Sequence, residues 1–206
     1  MRSLRNAVTA DLTRSLCRSY KLVAMAAPSF DPTHAVRFDL SHGTVRARGN
    51  ADALLLVPSV ALVDLVLTAP AEAVDALGRA LGSSIGRRAA ARMGDPAAAS
   101  IDDFVTQLAG EAALTGIGVM SMERWGRALV VVVEESPLTE TLLVPVVASA
   151  LEAASGRKVW CTLLTRDERM ARVLIASERA AERVRGWIAA GTPWGQALTK
   201  LHGDGA

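Results

Sequence analysis

Hydrophobic and polar positions change period several times along the chain, and each change marks an element. From residue 3 to 27, Leu4, Val8, Leu12 and Leu16 recur every four residues, which is a helical stripe. Pro28, Asp31 and Pro32 end it. Val36, Phe38 and Leu40 then alternate with Arg37 and Asp39, and Val45 faces away from Arg46. With the turn residues Ser41-His42-Gly43 between them, the two runs predict a hairpin over 35–40 and 44–48. Leu54, Leu55, Leu56 and Val57 run into Pro58, and Ser59 is placed to cap a short helix over 60–67. Pro70 opens a long helix reaching about residue 93, where Gly94-Asp95-Pro96 stops it.

Ser100 with Asp103 makes a capping signal for a helix over 101–114. Strands follow over 119–125 and 128–133, joined at Gly126-Arg127. Leu129 to Val133 is apolar at every position, as an interior strand covered on both faces requires. A helix over 138–154 stops at Gly156. Strands over 158–165 and 171–176 flank the charged turn Arg166-Asp167-Glu168-Arg169. Ser177 precedes a helix over 178–190, and Thr192-Pro193 starts a last short one through Leu201. Strands arrive in adjacent pairs, so the expected class is α+β, with an antiparallel sheet of about four strands packed against helices. The expected division is an N-terminal helix and linker over 1–30, then a single α+β domain over 31–206 that includes the tryptophan-bearing C-terminal helices.

Gly82 and Gly86 stand four apart inside the long helix, on either side of Ile85. A glycine within a helix costs about 1 kcal/mol relative to alanine. Two on one face imply that another backbone comes close there. Gly82, Ile85 and Gly86, with Leu142, Val146 and Ala150 of the later helix, are the expected helix-packing or interface positions. The arginines along the glycine helix exclude a membrane dimerisation motif.

Length, at 206 residues, fits one domain with a sizeable core. Half the residues are hydrophobic and only 4% aromatic, so Ala, Val and Leu must build that core. With 23 basic and 21 acidic residues the net charge is +2, which supplies no global drive towards nucleic acid or anionic lipid. Two isolated cysteines, Cys17 and Cys161, read as reduced thiols, and Cys161 as a small buried hydrophobe. No segment supplies the ~20 apolar residues of a membrane span. A cytoplasmic location is expected.

Candidate chemistry is sparse. Arg87, Arg88 and Arg92 lie near a helix C-terminus, where the macrodipole favours solvated cations; gripping a phosphate or an acidic partner is the functional alternative. His34, His42 and His202 show no metal-ligand spacing. Asp102 and Asp103 read as first-turn carboxylates, and Glu134 and Glu135 as turn acids. No Walker loop, GxSxG elbow or GxGxxG follows a strand. The expectation is therefore no catalytic residue, no metal and no cofactor. Trp187 and Trp194, two of four tryptophans, crowd the C-terminal helices with Leu198 and Leu201, a set that suits either a core lid or a partner-binding surface.

Three stretches carry a resemblance. Phe38 to Val45 with Leu54 to Pro58 is similar to the opening of bacterial four-vinyl-reductase domains. Leu81-Gly82-Ser83-Ser84-Ile85-Gly86-Arg87-Arg88 resembles the glycine helix of the transport-protein-particle (TRAPP) subunits of vesicle tethering. Val144 to Arg157 resembles the late helix both groups place before the last hairpin. The resemblance covers roughly residues 35 to 176. It implies a TRAPP-like fold of the ligand-binding type found in NO signalling and Golgi transport, a homodimer, and either an apolar-ligand pocket or an assembly surface. Many bacterial members carry paired cysteines in the last hairpin; here Cys161 stands alone, and no metal role is carried over. The glycine helix has no cysteine, so acylation is not carried over either.

The function expected from these observations is a non-catalytic adaptor or scaffold that acts through homodimerisation and contact with an unidentified protein. The alternative is a sensory domain enclosing a small apolar ligand, with Leu55, Val57, Val130, Val132, Trp160 and Leu163 as pocket liners.

Overall fold

A computed structural model describes residues 30–47, 53–93 and 100–203. The helix expected over 3–27, Cys17 and the Gly94-Asp95-Pro96 stop lie outside the described residues. A short 3-10 turn, Pro32–His34, leads into strands β1 (Val36–Asp39), β2 (Thr44–Ala47) and β3 (Ala53–Leu54). Helices α1 (Ser59–Thr68), α2 (Ala71–Met93) and α3 (Ile101–Leu114) follow. Next come β4 (Val119–Trp125), β5 (Ala128–Glu134), helix α4 (Glu140–Ser155), β6 (Trp160–Arg166), β7 (Met170–Ala176), α5 (Glu178–Ala189) and α6 (Trp194–Gly203).

The strands form two sheets. β1, β2 and β3 make a small antiparallel meander, and β4-β5-β7-β6 make a four-stranded antiparallel sheet. The class is α+β, with antiparallel strands packed on helices. The main sheet has the four antiparallel strands expected, and the first hairpin belongs to the separate small meander. Ser59 is not a cap: it is the first helical residue, after Pro58, and no side chain caps that end. Ser100 does cap α3, accepting the Asp103 N–H at 3.0 Å while its hydroxyl donates to the Asp103 carboxylate at 2.8 Å.

Inner strand β5 separates two apolar cores. Val131 and Val133 join one with Val173, Leu143, Val147 and Leu151, beneath α2, α3 and α4. Val130 and Val132 join the other with Leu174, Val184, Ala197 and Leu198, beneath α5 and α6. Alternate side chains of a strand point to opposite faces, so helices cover the main sheet on both sides and every position of β5 from Val130 to Val133 is buried. Cys161 sits in the first core. Burial, with a smaller contribution from the charge of Glu152, pushes its thiol up to about 12.

Helices α2 and α4 come into backbone contact at the glycines of α2. A Cβ added at Gly82 would overlap the Val146 carbonyl, and one at Gly86 the Ala150 carbonyl. Gly78 extends the row: its Cβ would lie 2.8 Å from Pro145 Cγ and 3.1 Å from the Leu142 carbonyl oxygen. Three glycines at four-residue spacing thus face three carbonyls at the same spacing, and α4 lies in the strip of α2 that lacks side chains. Sequence reasoning picked out two of the three. Gly78 continues the four-residue spacing one turn earlier, so its place in the row is legible in the sequence.

Candidate functional site

The tight seam between α2 and α4 turns the far side of α2 towards α3, where the strongest polar feature of the interior lies. Arg88 and Arg92 are one turn apart on α2, and both reach Glu111 of α3. Arg88 Nε donates to Glu111 Oε2 at 2.7 Å, and Arg92 Nε to Oε1 at 2.7 Å. The Glu111 side chain is 0% exposed, that of Arg88 5% and that of Arg92 22%. Arg88 Nη1 donates to Ser84 Oγ at 2.8 Å. Arg88 Nη2 is buried with no hydrogen-bond partner.

This arrangement corrects the reading of Arg87, Arg88 and Arg92 as a solvated helix end. It holds for Arg87, which is exposed and donates to Ser83 Oγ at 2.6 Å. It fails for Arg88, whose carboxylate partner is 23 residues away in sequence. No local pattern advertises that pairing; the one available signal was Glu111 standing among the apolar residues of an otherwise amphipathic helix. A buried, unpaired donor costs about 1–3 kcal/mol, so Arg88 Nη2 marks a place where an acceptor is missing.

Phe30 packs beside this cluster, against Gly110 and Arg92. Its ring lies on α3 at Gly110, where an added Cβ would run into it, and the Arg92 guanidinium sits 4.9 Å from the ring centroid. Glycine at position 110 is what admits the ring.

The six residues expected to line a ligand pocket do not share one space. Val130 and Val132 face α5 and α6, whereas Leu163 packs against the opposite core. Trp160 is half-buried at the start of β6, with the Lys158 ammonium 4.6 Å from its ring centroid. Leu55 is 85% exposed and Val57 is exposed too. The alternating direction of strand side chains separates Val130 and Val132 from Leu163, and the segment after β3 leaves the sheet altogether.

The residues expected to bind a partner are largely used within the chain. Leu198 is 3% exposed and packs under the sheet; Trp187, Trp194 and Leu201 flank it, half-buried. Trp194 meets Trp125 edge-to-face at 5.0 Å, and Arg172 lies over its ring. His202 Nε2 hydrogen-bonds the Trp125 carbonyl at 2.9 Å, which ties the end of α6 to the β4–β5 turn. Gly82, Gly86, Leu142, Val146 and Ala150 meet inside the chain, along the α2–α4 seam, and Ile85 joins the core beside it.

Two other features stand at the surface. An open cleft of about 590 Å³ is lined by Arg79, Ser83, Ser149, Glu152, Arg157 and Lys158. Several of its charges are committed already: Arg79 to Asp75, Lys158 to Trp160, and Glu152 to the Val159 N–H. Phe38, Leu40, Leu55, Leu56, Val57, Val60, Leu65 and Leu67 are all exposed, from β1 through α1. Helix α1 is apolar nearly all round and buries only Val66, a pattern legible in its sequence. Among the described residues no group of three or more His, Cys, Asp or Glu could hold a metal ion, and no helix is long and apolar enough to cross a membrane.

No family model matches the chain, and no curated protein matches it. Among solved structures it is similar to the phenol-responsive sensory domain of the transcription activator PoxR, solved with phenol. The TM-score is 0.55 at 12% identity, over 82% of this chain and 92% of that one. At that identity the likeness shows a shared fold.

Proposed function

We propose that this chain is a non-catalytic sensory domain that takes up a small molecule and passes the event on through protein contacts. The observation that carries the reading is the shared architecture with a phenol-responsive sensory domain over most of both chains. The buried guanidinium of Arg88, with one donor unsatisfied, supports it, because specific ligand sites combine apolar walls with a few placed polar groups. The TRAPP-like and four-vinyl-reductase resemblance and the cytoplasmic location belong to this proposal and rest on the short motifs and composition described above.

The test is a thermal-shift screen of the purified full chain against small phenols and aromatic acids. A ligand that binds only the folded state raises the melting temperature with concentration, by about 2.7 kcal/mol of stability at a hundredfold excess over Kd. A flat response across the panel contradicts the reading.

The contact-surface reading is favoured separately by the exposed apolar run from Phe38 to Leu67, since single domains seldom leave such a stretch in water. We propose that a second copy of the chain covers it, making the sensor a homodimer.

A further inference from the structure

We propose that the slot between Gly110 and Arg92, filled here by the Phe30 ring, with the neighbouring Arg88 Nη2, forms a binding site for an aromatic carboxylate. The proposal deepens the small-ligand reading and rests on it.

Charge comes first. Two guanidinium groups share one carboxylate, so among the described residues one positive charge of the cluster is uncompensated. The Arg88 side chain is 5% exposed and that of Arg92 22%, so the excess charge is only partly hydrated, and a monoanion is the ligand that removes the imbalance. Geometry comes second. Arg88 spends Nε on Glu111 and Nη1 on Ser84, which leaves Nη2 aimed at no acceptor although it is buried. A carboxylate oxygen is the acceptor that guanidinium N–H groups bind most strongly.

Shape comes third. The slot already accepts a benzene ring: Phe30 lies against the bare backbone of Gly110 with the Arg92 guanidinium 4.9 Å from its centroid. Arg92 there supplies a cation–π contact to any ring that takes the place of Phe30. Both arginines hold opposite oxygens of the same Glu111 carboxylate, so the ring slot on Arg92 and the unsatisfied donor of Arg88 belong to one cluster. Ile85 and Ala89 beside Arg88, and Leu108 and Ala112 beside Glu111, belong to the apolar core. Phe30 thus acts as an internal stand-in that the ligand displaces.

Isothermal titration calorimetry of the full chain with sodium benzoate tests this, with benzyl alcohol as the neutral control. Benzoate is expected to bind, with benzyl alcohol at least about tenfold weaker for want of the charge-assisted hydrogen bond. Phe30→Ala should bind benzoate several-fold more tightly by clearing the slot. Arg88→Lys keeps a cation for Glu111 but removes Nη2, and should weaken benzoate about tenfold. Circular dichroism establishes that each variant is folded; if Arg88→Lys is not, the contrast of benzoate with benzyl alcohol on Phe30→Ala decides alone. No benzoate binding to either the native chain or Phe30→Ala overturns the site, as does equal affinity for the two probes. A neutral molecule retained in native mass spectrometry by a chain that ignores benzoate also overturns it, while leaving small-ligand sensing intact.

Discussion

Glycine is the residue on which the helical layer turns, and its effect depends on what faces it. Gly86 lies against the Ala150 carbonyl, whereas Gly186 in α5 has open space where a Cβ would go. Gly86→Leu should therefore yield no folded protein, since a rigid backbone cannot move aside as a side chain does. Gly186→Ala should raise stability by about 0.5–1 kcal/mol. Chemical denaturation of both variants checks the pair; a Gly86→Leu protein that melts like the native chain would contradict the seam. Cys161 gives a second residue-scale prediction. Its thiol ordinarily titrates near 9.0 and is pushed up to about 12 in the fold. The unfolded chain releases that proton first, so the contribution is complete below pH 9.0 and falls as pH rises towards about 12, by roughly 1.4 kcal/mol per pH unit. Cys161→Ala should show a shallower alkaline loss in urea melts. Single residues were unequally legible. The seam glycines announce themselves because helices rarely tolerate them, but the fate of Arg88 depends on a carboxylate in another helix, which no spacing reveals.

At the scale of elements, β5 shows why some of the fold is readable. Five consecutive apolar residues need cover on both faces, and the chain provides α4 on one side and α5 with α6 on the other. The C-terminal helices are thus a structural layer. Leu198→Ala should destabilise by about 2–5 kcal/mol, as large-to-small changes in a filled core do, and should shorten amide-exchange protection in β5 and β7 first. Unchanged stability would mean that the second core is loosely held. Which sheet the first hairpin joins was not legible, for a physical reason: alternation specifies a strand with two unlike faces but not the strands beside it. Likewise, the proposed liners each carry the right apolar character, and only the three-dimensional direction of their side chains shows that they point into different cores or into solvent.

Over the whole molecule, the apolar run through β1, β3 and α1 contrasts with the covered main sheet. Leu40 is 90% exposed and Leu55 85%, which a second copy would remedy. Multi-angle light scattering should find a dimer, and the double variant Leu56→Glu, Leu67→Glu should find a monomer that keeps its circular dichroism spectrum. A native chain that is monomeric at every concentration would oppose that part of the account. The central claim is that this α+β body receives a small molecule. Native mass spectrometry of the full chain, purified without denaturation, addresses it most directly. The account predicts a species heavier than the bare polypeptide by one small organic molecule, lost on collisional activation and restored by adding the ligand back. A bare chain that no member of a phenol and aromatic-acid panel will load would contradict it.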